Sequence, residues 1–113
     1  MTMPRHKNDI LQGTLVLLVL KSIEAQGRMH GYAVTSHIQR VSADLLRVEE
    51  GSLYPALQKL LVKGWVKATW RESDSGRQVR EYRITAAGKQ QLEAEIGEYR
   101  RMTSAIDVLL KEA

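Results

Sequence analysis

The fold is decided by the stretch GSLYPALQKLLVKGWVKATWR, residues 51–71. Its apolar residues first recur at helical spacing and then at every second position, which predicts a helix followed directly by a strand. We expect the helix to begin near Ser52, whose hydroxyl would cap it, and to end at Gly64. Pro55 is tolerated in a first helical turn, where amide hydrogens have no intrahelical acceptor. The buried stripe of this helix is predicted to be Ala56, Leu57, Leu60 and Leu61.

A β-hairpin is predicted after this helix. Apolar and polar residues alternate over residues 66–71, as expected for a half-buried strand, and a cluster of turn-forming residues follows at 73–76. On the return strand we expect Tyr82 and Ile84 to face inward and Arg83 to face outward.

Two more helices are predicted before this stretch. The first is capped by Asn8 and Asp9, ends near Ala25, and should be buried because it is apolar on nearly all sides. The second begins at Gly31, and residues 42–49 contain its end and a short connector. Its apolar residues are spaced by four, three and four: Val34, Ile38, Val41 and Leu45. Three helices followed by a hairpin is the order of a winged helix-turn-helix.

The segment from Ala86 to Glu112 predicts one long helix with an a/d seam. The seam residues are Leu92, Ile96, Tyr99, Thr103, Ile106 and Leu110. A lone domain of this size has little core left to cover so long a stripe, so we expect a second copy to cover it. The expected fold class is mostly α with a small β-hairpin (α+β), divided into a winged-helix DNA-binding domain, 1–86, and a C-terminal dimerisation helix, 87–113.

The composition limits the possible functions. The 113 residues are enough for one domain and include 17 Lys and Arg, 13 Asp and Glu, and no cysteine. Disulfides, thiolate metal sites and cysteine nucleophiles are therefore excluded. The longest apolar run, 15–20, is too short to span a membrane, and the N-terminus does not resemble a signal peptide, so we expect a cytoplasmic protein without a membrane partner. Residues 1–88 carry a net charge of +5, which favours an anionic partner there.

No catalytic residue, metal site or cofactor is predicted. His30 and His37 are seven residues apart, His6 lies in the N-terminal tail, and the nearest carboxylates show no known ligand spacing. The sequence has neither a nucleophile elbow nor a glycine-rich phosphate loop, so an enzyme is not expected.

The polar side chains of the third helix form a candidate DNA-reading surface. Gln58 can pair with adenine, and Lys59 or Lys63 can contact guanine or a phosphate. Ser52 at the helix start suits a phosphate oxygen, and Tyr54 can offer its hydroxyl or its ring. The alternative is that these side chains only solvate a helix face.

The predicted hairpin is rich in arginine. It carries Arg71, Arg77, Arg80 and Arg83 within 13 residues. Arginines at a hairpin tip can lie along a DNA backbone or enter the minor groove, although such clusters also occur on solvated surfaces. Glu49 and Glu50 oppose DNA binding at the start of the third helix. Their carboxylates stabilise the helix start but repel a phosphate near it.

The two tryptophans of the hairpin region have two interpretations. We expect Trp65 and Trp70 to pack in the core between the hairpin and the helices. The alternative is that their indole faces stack against a flat aromatic ligand.

Five motifs together resemble the PadR family of bacterial transcriptional regulators. They are LQGTL at 11–15, HGY at 30–32, GSLYPAL at 51–57, GWV at 64–66 and YRITAAG at 82–88. The resemblance is strongest to the short branch, which has one C-terminal helix. It implies an N-terminal winged helix, a C-terminal dimerisation helix and repression through operator binding.

The same resemblance implies which residues contact DNA. On the third helix they are Ser52, Leu53, Tyr54, Gln58, Lys59 and Lys63, and on the hairpin they are Arg77 and Arg80. Some family members respond to phenolic acids or hydrophobic drugs, so a small hydrophobic or aromatic effector is an expected partner.

We therefore expect a homodimeric repressor that binds a near-palindromic operator in double-stranded DNA and is released by a small aromatic effector. The alternative is a winged-helix adaptor that binds another protein and no DNA. A stable self-dimer favours the repressor, whereas capture of a protein partner without DNA favours the adaptor.

Overall fold

The computed structural model describes the backbone of residues 6–112 and the side chains of residues 14–112. Within this range the helices are α1 (His6–Gln26), α2 (Gly31–Val41), α3 (Glu50–Val62) and α4 (Ala86–Leu110), and the strands are β1 (Met29–His30), β2 (Val66–Glu72) and β3 (Gln78–Ile84). The predicted order of three helices, a hairpin and a long helix is confirmed.

The first helix is buried, as its apolar sequence predicts. Leu15, Val19, Leu20 and Ile23 belong to the core. The described helix already includes Asn8 and Asp9, so the prediction that they cap it is wrong.

The second helix ends earlier than its apolar spacing predicts. Val34 and Ile38 are buried, but Val41 and Leu45 are exposed. Val41 is the last residue of α2 and is not covered by the core. A tight turn follows, in which Ala43 and Asp44 adopt positive φ angles of 53° and 67°, and Leu45 is exposed before Val48 returns to the core.

The third helix begins earlier than predicted. Its N-cap is Glu49, whose side chain makes no capping hydrogen bond, and Ser52 occupies the third helical position rather than the cap. The amide of Ser52 donates to the Glu49 carbonyl oxygen at 3.0 Å. Pro55 is consequently the sixth residue of the helix and not part of its first turn. Pro55 has no amide hydrogen for the carbonyl of Gly51, and because Gly51 is exposed, water can replace that donor.

The end of α3 agrees with the prediction. Gly64 has a φ of +77°, a conformation that glycine adopts at low cost. The amide of Gly64 donates to the Leu61 carbonyl at 3.0 Å, and the amide of Trp65 donates to the Leu60 carbonyl at 2.9 Å. These two bonds form a Schellman motif, which satisfies carbonyl groups at the helix end.

The sheet is antiparallel, with strand order β1-β3-β2. In the hairpin, Trp70 pairs with Arg80, and Tyr82 pairs with Ala68. Tyr82 is buried, Ile84 is half-buried and Arg83 is exposed, as predicted. The short strand β1 was not predicted, because two residues are too few to show an alternating pattern.

The junction between α3 and α4 is held by Thr85. Its hydroxyl donates to the Gly64 carbonyl at 2.7 Å and accepts from the Gly88 amide at 3.0 Å, which caps α4. The Thr85 amide also donates to the Trp65 carbonyl at 3.0 Å. One side chain thus connects the end of α3 to the beginning of α4.

The long helix α4 is covered only along its first half. Leu92 is 5% exposed and Ile96 is half-buried, and both pack against the core of the same chain. Tyr99, Ile106 and Leu110 are exposed. The prediction that the whole seam faces a second copy is therefore wrong for Leu92, because this side chain is buried in the core of its own chain. Thr103, the remaining seam residue, is half-buried.

Candidate nucleic-acid interface

The outer surface of α3 carries two rows of polar side chains. Tyr54 and Gln58 lie one turn apart on one row, and Ser52, Lys59 and Lys63 follow each other at steps of seven and four on the other. Ser52 is half-buried and the other four side chains are exposed. This surface presents amide, hydroxyl and ammonium groups to solvent, which are the groups that contact DNA bases and phosphates.

Leu53 does not belong to this surface. It is 0% exposed and lies in the core with Leu57 and Leu60. The family-based expectation that Leu53 contacts DNA is therefore wrong for its side chain. The helical period explains the difference, because Leu53 lies on the inner face of α3 although its sequence neighbours on both sides reach the outer surface.

An open cleft of about 1030 Å³ separates the hairpin from the beginning of α2 and from α3. It brings together three of the predicted site residues, Tyr54, Arg77 and Arg80. Gln58, Lys59 and Lys63 do not line this cleft but lie on the exposed surface of the same helix. The candidate interface thus consists of a helix surface and an adjoining cleft.

The arginines of the hairpin differ in their partners. Arg71 Nε lies 3.5 Å from Glu81 Oε1, and Arg28 Nη1 lies 3.9 Å from the same oxygen. Arg77 and Arg80, in contrast, have no carboxylate partner among the residues that the structure describes. The positive charges of Arg77 and Arg80 are consequently not neutralised by an ion pair.

The two tryptophans have different environments. Trp65 is half-buried and packs against the core, as predicted, and Lys63 Nζ lies 5.7 Å from the centroid of its ring. Trp70 is 64% exposed, so the prediction that it packs in the core is wrong. Burial along β2 decreases from Val66 to Trp70, which shows that the strand extends past the core at this point.

Two residues of the cleft wall are not predicted by the sequence. His30 and Tyr32 stack with their ring centroids 5.5 Å apart and their planes 5° from parallel, and both line the cleft. Both belong to the HGY motif, which indicated the family resemblance but gave no sign of a position opposite the hairpin. Their place depends on the pairing of β1 with β3.

Two further findings concern the described part of the chain. None of its helices is long and apolar enough to cross a membrane. Among the same residues, no group of three or more His, Asp or Glu side chains is arranged to hold a metal ion.

The hairpin beside the outer surface of the third helix, with a long terminal helix, defines the class of winged-helix proteins. Residues 19–94 match the model of the Transcriptional regulator PadR-like family. Because this match covers well over half of the sequence, the chain belongs to the PadR-like family. Members of this family are transcriptional regulators and not enzymes.

Solved structures confirm the winged-helix fold with a long C-terminal helix. A transcriptional regulator from Clostridium thermocellum has a TM-score of 0.82 at 23% identity, covering 91% of this chain and 99% of the other. A PadR-like transcriptional regulator from Bacillus cereus has a TM-score of 0.77 at 26% identity, with coverages of 93% and 99%. A relative from Lysinibacillus sphaericus, named uncharacterized protein X, is 27% identical over 105 residues, which are 93% of this chain and 95% of that protein.

Proposed function

We propose that this chain is a homodimeric cytoplasmic repressor that binds a near-palindromic operator in double-stranded DNA. The observation that carries the proposal is the position of the exposed polar surface of α3 beside a cleft that contains two arginines without carboxylate partners. A helix with exposed amide and ammonium groups matches the major groove, and neighbouring arginines match the phosphate backbone.

In this proposal α3 enters the major groove. Gln58 contacts base edges, Lys59 and Lys63 contact guanine or phosphate, and Ser52 and Tyr54 bind the backbone on either flank of the helix. Arg77 and Arg80 reach the adjacent backbone from the hairpin. The exposed carboxylates of Glu49 and Glu50 restrict how the N-terminus of α3 approaches the phosphate backbone.

The proposed dimer forms through the second half of α4. Residues 1–86 would then act as the DNA-binding domain and residues 87–113 as the dimerisation helix. The proposal is supported by exposed apolar side chains that continue the seam beyond Ile96, namely Tyr99, Ile106 and Leu110. A two-fold dimer would place its two α3 helices in successive major grooves, about 34–36 Å apart along one face of the duplex.

We also propose that a small aromatic effector releases the operator. The proposal is supported by a groove of about 450 Å³ between α1 and α4, a volume in the usual range for small ligands. Leu17, Tyr99 and Met102 give this groove apolar and aromatic walls, and its polar lining includes Thr14, Glu95 and Glu98. A compound that binds it should raise the melting temperature and lower DNA affinity, and a screen in which no aromatic compound does both would contradict this part of the proposal.

The DNA proposal is tested by selecting duplexes from a random-sequence pool and titrating the best one at several salt concentrations. We expect a preferred near-palindrome and a log K that falls linearly with log salt, because phosphate contacts release counterions. Lys59→Ala should weaken binding, whereas the matched control Arg100→Ala, which removes the same charge from α4, should not.

A chain that selects no sequence, or that binds with no salt dependence, would contradict the repressor. Capture of a protein partner by a chain that binds no duplex would support the adaptor instead.

A further inference from the structure

The guanidinium group of Arg80 lies over two aromatic rings. Its Cζ atom lies 5.6 Å from the centroid of the Trp70 ring and 6.0 Å from that of the Tyr82 ring. The hairpin register explains both contacts, because Arg80 pairs with Trp70 across the strands and lies two residues before Tyr82 on the same face. Tyr82 is buried, so the position of its ring is fixed by the core.

A comparison of Arg80 with Arg71 shows how the aromatic contacts affect the orientation and the charge of the guanidinium group. Arg71 lies against the carboxylate of Glu81, which orients its guanidinium group but also offsets part of its charge. Arg80 is oriented by ring faces, which attract the cation without supplying a negative charge or a strong hydrogen-bond acceptor. Its N–H donors and its full charge therefore remain available to an anion in the cleft.

The exposure of Trp70 also indicates that this side chain has a role outside the core. A side chain of this size that is 64% exposed gains little from burial, so core packing does not account for its position. Trp70 lines the same cleft as Arg77 and Arg80 and lies beyond the part of β2 that packs on the helices. Its ring lies under the guanidinium group of Arg80.

We propose that Trp70 is a positioning residue for DNA binding: its indole face holds the Arg80 guanidinium in the cleft, where it binds a phosphate of the DNA backbone. Because the indole fixes the guanidinium before DNA arrives, less conformational entropy is lost on binding. This inference rests on the proposed function and assigns Trp70 a role that acts through Arg80.

The test is a double-mutant cycle on the duplex that the wild-type chain selects from the random-sequence pool. The variants are Trp70→Leu, which keeps apolar bulk without a ring, Trp70→Phe, which keeps a ring, Arg80→Ala, and Trp70→Leu combined with Arg80→Ala. Kd is measured by fluorescence anisotropy over a salt series. Arg83→Ala is the matched control, because Arg83 has the same charge but points to the opposite face of β3.

We expect Trp70→Leu to raise Kd about two- to fivefold, equivalent to about 0.5–1 kcal/mol for an exposed cation–π contact. Trp70→Phe should recover part of this loss. Arg80→Ala should reduce the salt slope by about 0.9, the value for one phosphate contact on duplex DNA, and Arg83→Ala should leave the slope unchanged. In the Arg80→Ala background, Trp70→Leu should have no additional effect.

An independent readout is the NMR signal of the Arg80 Nε–H group in the free protein. Trp70→Leu should shift this signal by removing the ring current, while the melting temperature stays close to that of the wild type because Trp70 is exposed. An unchanged signal would overturn the stacking on which the proposal depends.

The outcomes of these experiments distinguish the positioning role of Trp70 from the proposed repressor function. If the wild type binds its duplex and Trp70→Leu weakens binding equally with and without Arg80, the positioning role is overturned and the repressor stands. If the wild type binds no duplex, both proposals fall.

Discussion

The two halves of α4 show the same apolar period in two different environments. In the first half, Leu92 is 5% exposed and Ile96 packs against the core of the chain. In the second half, Ile106 is 44% exposed and Leu110 is 75% exposed, although they continue the same spacing. A periodic pattern thus identifies an apolar stripe but not its partner. The first half contributes to the stability of a single chain, and we expect the second half to contribute to association.

The largest effect is expected for a substitution in the buried first half of α4. Leu92→Ala removes a buried side chain and leaves a cavity, so the free energy of unfolding should fall by about 2–5 kcal/mol. Urea denaturation followed by circular dichroism measures the change. Val108→Ala is the matched control, because Val108 is exposed and lies off the seam, and its effect should stay within about 0.5 kcal/mol. Equal losses for the two variants would remove the distinction between the halves.

The packing at the beginning of α4 can be tested by adding a side-chain atom there. A Cβ atom at Gly88 would collide with the backbone carbonyl of Trp65 and with the side chain of Ile84. Gly88→Ala should therefore destabilise the chain by about 1–3 kcal/mol, although alanine favours a helix more than glycine does.

The control for Gly88 is in the same helix. At Gly97 a Cβ atom would meet only the end of the Arg101 side chain at 4.0 Å, so Gly97→Ala should stabilise the chain by up to about 1 kcal/mol. If Gly88→Ala were also stabilising, the packing of α4 against the turn at Trp65 would be looser than in the structure.

The next largest loss of stability is expected when the N-cap of α4 is removed. Thr85→Val removes the hydroxyl that binds both the Gly64 carbonyl and the Gly88 amide, and should cost about 0.5–2 kcal/mol. Thr85→Ser keeps the hydroxyl and should retain most of the stability. Thermal denaturation of both variants provides the measurement, and equal losses would mean that the methyl group rather than the two hydrogen bonds matters.

Local features of this chain were predictable from sequence, and features that depend on distant contacts were not. The end of α3 was predicted because a Schellman motif involves only neighbouring residues and a glycine with positive φ. The start of α3 was missed because Glu49 forms the N-cap without a side-chain hydrogen bond, so no sequence signal marks it. Trp70 was wrongly expected in the core because alternation cannot show where a strand leaves the body of the protein.

The same distinction applies to the candidate site. Helical spacing was sufficient to predict that Gln58, Lys59 and Lys63 are exposed on α3, and these exposures are confirmed. It was not sufficient to predict the cleft, because the contact between β1 and β3 brings His30 and Tyr32 opposite the hairpin. Leu53 shows the limit of a family motif, since a residue inside a functional motif can be part of the core.

Ile106→Glu is expected to have the smallest effect on the stability of the fold. It is also the most direct test of whether the second half of α4 forms the dimer. Because Ile106 is already partly exposed, the unfolding free energy of the isolated chain should change by no more than about 0.5 kcal/mol. The proposed dimer should dissociate, since a carboxylate buried in an apolar seam without a partner is costly. Val108→Glu introduces the same charge off the seam and should leave the dimer intact. Sedimentation velocity over a concentration series distinguishes the two variants. A dimer that survives Ile106→Glu, or that Val108→Glu disrupts to the same extent, would show that association uses a different surface and that the second half of α4 has another partner.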